Sequence, residues 1–176
     1  MQKQHIVLVG PMGSGKSTLG AALAARLGLA LIDVDACIVA MAGLPIPAIF
    51  ATEGEAGFRE REAQALADAL NHPPAVIATG GGAVLRQANR DAMQAAACVV
   101  YLHVSAQEQL RRIEGDRNRP LLGSDAPAQR LADLQRLREP LYRQIAHLVI
   151  DTSVQTPEQL AAALVLRLHA LKDSHA

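Results

Sequence analysis

A strand-forming run, His5–Val9 (HIVLV), passes directly into Gly10-Pro-Met-Gly-Ser-Gly15-Lys16-Ser17, and a stretch with helical spacing follows. The octapeptide has the pattern G-x-x-x-x-G-K-[ST]. Its place between a strand and a helix restricts this chain more than any other feature. Glycines let the backbone curl until several N–H groups converge on one anion. A helix that begins near Lys16 adds its positive end at the same point. Lys16 is then placed for the β- and γ-phosphates of a nucleotide, and the Ser17 hydroxyl for Mg²⁺. Gly13, Ser14, Gly15 and Thr18 complete the candidate nucleotide-binding set. The chain has three lysines, and Lys16 is the one away from the termini, the others being Lys3 and Lys172. An ordinary glycine-rich turn is the competing reading.

The rest of the chain alternates short β-branched runs with alanine-rich helical stretches. Lys16–Leu27 carries Leu19, Leu23 and Leu27 four apart, and Gly28 ends it. Ala30–Asp33 is a second strand that ends in acids. Short helical pieces are expected at 38–41 and 46–52, around a break at 43–47, and a longer helix at 55–70. A strand over 75–79 runs into three glycines, 80–82. Residues 89–97 are helical, 98–103 (CVVYLH) form a strand, and Ser105 caps a helix reaching about 113. Residues 114–125 are polar and interrupted by Gly115, Pro120 and Gly123, which reads as a mobile lid. A helix over 128–146 is expected to be interrupted by Pro140. Leu148–Asp151 is the last strand, and Thr156 caps a final helix with Pro157 first and Glu158 in its opening turn.

Five strands alternating with helices imply a parallel sheet covered on both faces, a three-layer α/β/α fold. No repeat or linker divides residues 1–176, so one domain is expected. Ligands in such sheets bind beyond the carboxyl ends of the strands. The polar segments 10–17, 33–35 and 80–82 each come straight after a strand.

Composition removes several classes. Seventeen basic residues balance seventeen acidic ones, which gives no overall attraction to nucleic acid or to an anionic membrane. Four aromatic residues, Phe50, Phe58, Tyr101 and Tyr142, are too few for a base-stacking platform. Cys37 and Cys98 make neither a CxxC pair nor a zinc spacing, and read as reduced, small, buried groups. The six histidines form no metal or triad spacing. No apolar run approaches the roughly 18 residues of a membrane span, and the first is too short for a signal-peptide core. A soluble cytoplasmic protein is expected, with no nucleic-acid or membrane partner.

Asp33 and Asp35 flank Val34 at a strand end. In an extended chain residues i and i+2 point to one side, so both carboxylates would face the phosphate loop. One of them then suits a metal held through water, Asp33 being the better candidate because the strand before the glycines ends in no acid, and the other a substrate hydroxyl whose proton it takes. The alternative is that one acid simply caps the following helix. Gly80, Gly81 and Gly82 expose backbone N–H groups and let a ligand approach closely, unless they form only a tight turn. Arg59 and Glu62 share a helix face, and solvation alone would account for them. Arg119 lies beside Arg117 in the polar loop, and Arg138 where a helix meets Pro140. The arginine fork suits carboxylates and phosphates, so with a phosphate loop these arginines suggest anion clamps and a lid.

The set GPMGSGKST, LIDVD, FREREAQAL, ATGGGAV, RNRPLL and LREPLYR keeps its order and spacing from about His5 to Asp151, and in this the chain resembles the shikimate kinases. The resemblance implies a phosphate-loop, nucleoside-monophosphate-kinase-like fold with strand order 2-3-1-4-5. It implies transfer of the γ-phosphoryl of ATP to the 3-hydroxyl of shikimate, in the pathway to chorismate and the aromatic amino acids. Asp35 would hold that hydroxyl and act as base, and Asp33 would reach Mg²⁺ through water. Arg59 and Arg138 would grip the shikimate carboxylate, and Gly81 with Gly80 and Gly82 would bind ring hydroxyls. Arg119 would reach the ATP phosphates from the lid, and Gln155 would touch adenine. The region 34–62 would be the shikimate-binding part, and a monomer is expected. Two competing readings are another small-molecule kinase, such as a gluconate or nucleotide kinase, and a non-catalytic ATP-binding module.

Overall fold

The strand His5–Val9 (β1) is buried along its whole length, because neighbours cover both its edges and both its faces. The computed structural model describes residues 4–114 and 127–173. Within them β1 is followed by α1 (Lys16–Leu27), β2 (Ala30–Asp33), α2 (Val34–Ala42), α3 (Ile46–Leu70), β3 (Ala75–Ala78) and a 3₁₀ turn at Ala83–Leu85. Then come α4 (Gln87–Ala96), β4 (Ala97–His103), α5 (Ala106–Glu114), α6 (Pro127–Ile145), β5 (Leu148–Asp151) and α7 (Pro157–Asp173). The lid expected at 114–125 lies, beyond its first residue, outside the described residues, and Arg119 lies there with it.

All pairings are parallel and the strand order is β2-β3-β1-β4-β5. Successive strand side chains point to opposite faces, which builds two separate cores. Val7, Val9, Ile77, Val99 and Tyr101 face α2, α3, α4 and α6. Ile6, Leu8, Val76, Val100 and Leu102 face α1 and α7. A crossover helix between each pair of parallel strands leaves every strand pointing the same way. All carboxyl ends therefore open on one side of the molecule.

Three local expectations change. Asp33 and Asp35 do not share one extended strand, because β2 stops at Asp33 and α2 starts at Val34 with no loop between. Asp33 is the N-cap of α2, its Oδ1 accepting from the Ala36 N–H at 3.2 Å, and Asp35 lies in the first helical turn. The free N–H groups of a helix start offered Asp33 a hydrogen bond that an extended chain does not. Second, Pro140 does not interrupt α6, which runs through it to Ile145. Pro140 and Arg136, whose carbonyl loses its helical donor, are both exposed, so the lost bond falls on the outer side of the helix and not in the core. Third, the 3₁₀ turn after the glycines was not legible. It is held by α4, where the Asn89 amide donates to the Ala83 carbonyl at 3.0 Å and Arg90 to that of Val84 at 2.6 Å. The break expected between 46–52 and 55–70 is present, as Gly54 leaves the helical region within α3 with φ 69°.

Candidate active site

At the carboxyl ends of β1, β2 and β3 lies a cleft of about 830 Å³. It runs from Gly13, Gly15, Lys16, Ser17 and Thr18 at one end, past Asp33 and Asp35, to Arg59, Glu62, the 80–82 turn and Arg138 at the other. The phosphate end is built by the turn from β1 into α1. Gly13 and Gly15 have φ of 74° and 89°, a region that side chains disfavour, and this lets the loop fold back over the helix start. Lys16 Nζ donates to the carbonyls of Gly10 at 2.7 Å and Pro11 at 2.8 Å, lying across the loop opening. Ser14 is fully buried beneath the loop, and its carbonyl accepts from the Thr152 hydroxyl at 2.9 Å. Ser17 Oγ donates to Asp33 Oδ2 at 2.7 Å. Hydroxyl and carboxylate oxygens are the hard donors that Mg²⁺ takes, so this pair fits the ion when nucleotide phosphates supply further oxygens.

Sequence reasoning missed Arg112 on α5, which lines the same end. Its guanidinium donates to the carbonyls of Gly13 at 3.1 Å and Thr152 at 2.6 Å, and so ties the loop to the segment after β5. Glu108 holds Arg112 in place through Nε at 2.7 Å. The Arg111 and Arg112 guanidiniums pull the Glu108 carboxyl down to about 2. Gln155, expected at adenine, is exposed and does not line this cleft.

At the other end, α3 after Gly54 turns Arg59 and Glu62 inward. Glu62 is fully buried and accepts from Arg59 Nη1 at 2.7 Å. Burial pushes the Glu62 carboxyl up, against the pull of Arg59. Glu62 Oε1 and Asp35 Oδ1 converge on Gly80, where a Cβ would stand 2.8 and 2.9 Å from them. Arg59 Nε, Arg138 Nε and Glu62 Oε1 are buried and have no hydrogen-bond partner among the described residues. Buried polar atoms are nearly always paired, so three orphans at one cleft wall mark a place built for a polar ligand. Phe50 stacks on Phe58 with ring centres 4.6 Å apart, and both line the cleft as its apolar wall. A phosphate-binding loop thus faces two arginines across a carboxylate set. Together with the sheet, this defines a phosphoryl-transfer enzyme of the phosphate-loop class.

Comparison with known proteins resolves the class further. The sequence profile described as "Shikimate kinase" matches residues 12–169. A shikimate kinase of Pseudomonas paraeruginosa is 49% identical over 167 residues, covering 95% of this chain and 97% of that protein. The solved structure of a shikimate kinase from Acinetobacter baumannii in complex with shikimate superposes with a TM-score of 0.93 at 42% identity, covering 96% of this chain and 94% of that one. The chain belongs to the shikimate kinase family, and it is an ATP-dependent kinase. A gluconokinase from Sinorhizobium meliloti, at 21% identity and a TM-score of 0.68, shares the fold alone.

Two expected results follow from this geometry. A Cβ on Gly82 would fall well inside van der Waals contact of both Arg59 Nη atoms. Gly82→Ala should still fold, because Arg59 can swing away, but the guanidinium then leaves the cleft wall. Losing a charge-assisted hydrogen bond costs about 1.5–3 kcal/mol, so the KM for shikimate should rise about tenfold or more. The KM for ATP should stay within about twofold. Steady-state kinetics with each substrate varied checks this, and an equal rise in both constants would contradict it. The second result concerns pH. Because the Glu62 carboxyl is raised above its usual 4.5 on folding, the native state holds a proton that the unfolded chain has lost. In that window stability falls as pH rises. The Tm of the wild type relative to Glu62→Gln should therefore decline as pH rises above about 4.5, as calorimetric scans across pH will test. A flat difference would mean that folding does not raise the Glu62 carboxyl.

Proposed function

We propose that this chain transfers the γ-phosphoryl of ATP to the 3-hydroxyl of shikimate, giving shikimate 3-phosphate and ADP. The observation that carries the reading is the order of groups along one cleft: loop, carboxylates, then the two arginines, Arg59 and Arg138. Lys16 and the loop amides hold the phosphates in line. Asp35, between the two ends, accepts the proton of the attacking hydroxyl as the new P–O bond forms and the bond to ADP breaks. Arg59 and Arg138 bind the shikimate carboxylate, and the 80–82 turn with Glu62 meets the ring hydroxyls. Ser17, with Asp33 through water, would hold Mg²⁺, which when bound neutralises charge on the β- and γ-phosphates. Arg119 belongs to this proposal as the lid residue that reaches the phosphates. A monomeric working unit belongs to the same proposal, and Cys37 and Cys98, which form no disulfide with each other, suit a cytoplasmic setting.

A coupled ADP-release assay with shikimate, gluconate and nucleoside monophosphates tests the assignment. Shikimate alone should drive turnover, and removal of Mg²⁺ by a chelator should stop it. Equal turnover with gluconate would overturn the acceptor. ATP binding without consumption in the presence of shikimate and Mg²⁺ would make the chain a binding module.

A further inference from the structure

We infer that Tyr142 is a positioning residue whose hydroxyl ties the 80–82 turn of the acceptor end to α6 and fixes how the turn presents its backbone. The inference rests on the assignment of that end to shikimate. Tyr142 stands 61 positions beyond Gly81 in the chain, fully buried on α6, and its hydroxyl donates to the Gly81 carbonyl at 2.5 Å. Arg138, one helical turn earlier on α6, is buried beside it. Arg138 Nη1 lies 3.4 Å from the point where a Cβ on Gly81 would stand, so the guanidinium and the turn are in contact.

A hydroxyl has one proton to donate, and here it goes to the turn. The direction matters. In a planar trans peptide, C=O and the following N–H point opposite ways. Holding the Gly81 carbonyl towards Tyr142 therefore holds the Gly82 N–H away from it. Glycine has no side chain to resist a peptide flip, and a flipped unit would offer a carbonyl where a donor had been. The Tyr142 ring is itself held. It stacks on Tyr101 with centres 5.1 Å apart and planes at 21°. Tyr101 belongs to β4, paired with Val9 of the central strand. The rigid sheet thus sets the hydroxyl, and the hydroxyl sets the turn.

Tyr142→Phe keeps the ring and its stacking and removes the bridge. The KM for shikimate should rise about five- to tenfold, with the KM for ATP within about twofold and the Tm within about 5 °C. Introducing 4-aminophenylalanine at position 142 restores a donor and should return the shikimate KM to within about threefold of wild type, whereas 4-methylphenylalanine, similar in size but with no donor, should not. This pair decides the matter even if the Phe variant does not fold. A shikimate KM unchanged within about twofold, or both constants rising together, would overturn the proposal. If the wild type releases no ADP with shikimate, the acceptor assignment fails instead. The bridge is then read by hydrogen exchange at the Gly82 amide, which should be about tenfold faster in Tyr142→Phe, equal rates overturning it.

Discussion

Lys16→Met is expected to lower turnover by about 10²–10³-fold or more while the chain stays folded. Lys16 Nζ lies over the loop mouth, held by the Gly10 and Pro11 carbonyls and, at 3.4 Å, the Ser14 hydroxyl. Phosphate oxygens are stronger partners for an ammonium group than neutral carbonyls, so a bound nucleotide draws the charge onto itself. Methionine matches the length of the lysine stem but carries no charge, so a cation at the loop mouth is lost from the phosphate end. The loop hydrogen bonds lost are worth roughly 1 kcal/mol each, small against the two cores that hold the sheet. Turnover measured beside a thermal melt separates the outcomes. More than about a tenth of wild-type turnover would confine Lys16 to shaping the loop.

Asp35→Asn should cost about 10²–10⁴-fold in kcat and leave shikimate affinity nearly unchanged. Asparagine keeps the shape and one acceptor oxygen but takes up no proton. Helix α2 should survive the change, because its cap is Asp33, whose Oδ1 receives the Ala36 N–H. A first-turn carboxylate interacts with the helix start by about 0.3–1 kcal/mol, so the stability effect is modest. Two readouts matter: kcat at saturating shikimate, and the KM for shikimate beside it. An effect confined to KM would make Asp35 a binding group only.

What the sequence by itself determined follows from short-range physics. The turn from His5–Val9 into Lys16 is legible because converging amides need glycines at particular places and a helix start behind them. Strand and helix alternation is legible from apolar spacing, and with it the parallel sheet and the side on which the cleft opens. The resemblance carried by the remaining motifs supplied the strand order, which no local pattern contains, and the sheet has that order.

Tertiary structure decided the rest. Whether Glu62 is a solvated helix charge or a buried partner of Arg59 depends on what packs over α3, and its full burial comes from neighbours distant in the chain. Arg112 reads as one more surface arginine until the fold brings Gly13 and Thr152 to it from 99 and 40 positions away. Asp33 and Asp35 reach the same cleft as expected, but from a helix start, since the free amides of that start outcompete strand extension. Tyr142 could not be linked to the glycine turn from spacing, because 61 residues separate them. Propensity and periodicity act over a few residues. The hydrogen bonds that aim a catalytic group are made across the chain, and only a closed core brings their two ends within 3 Å.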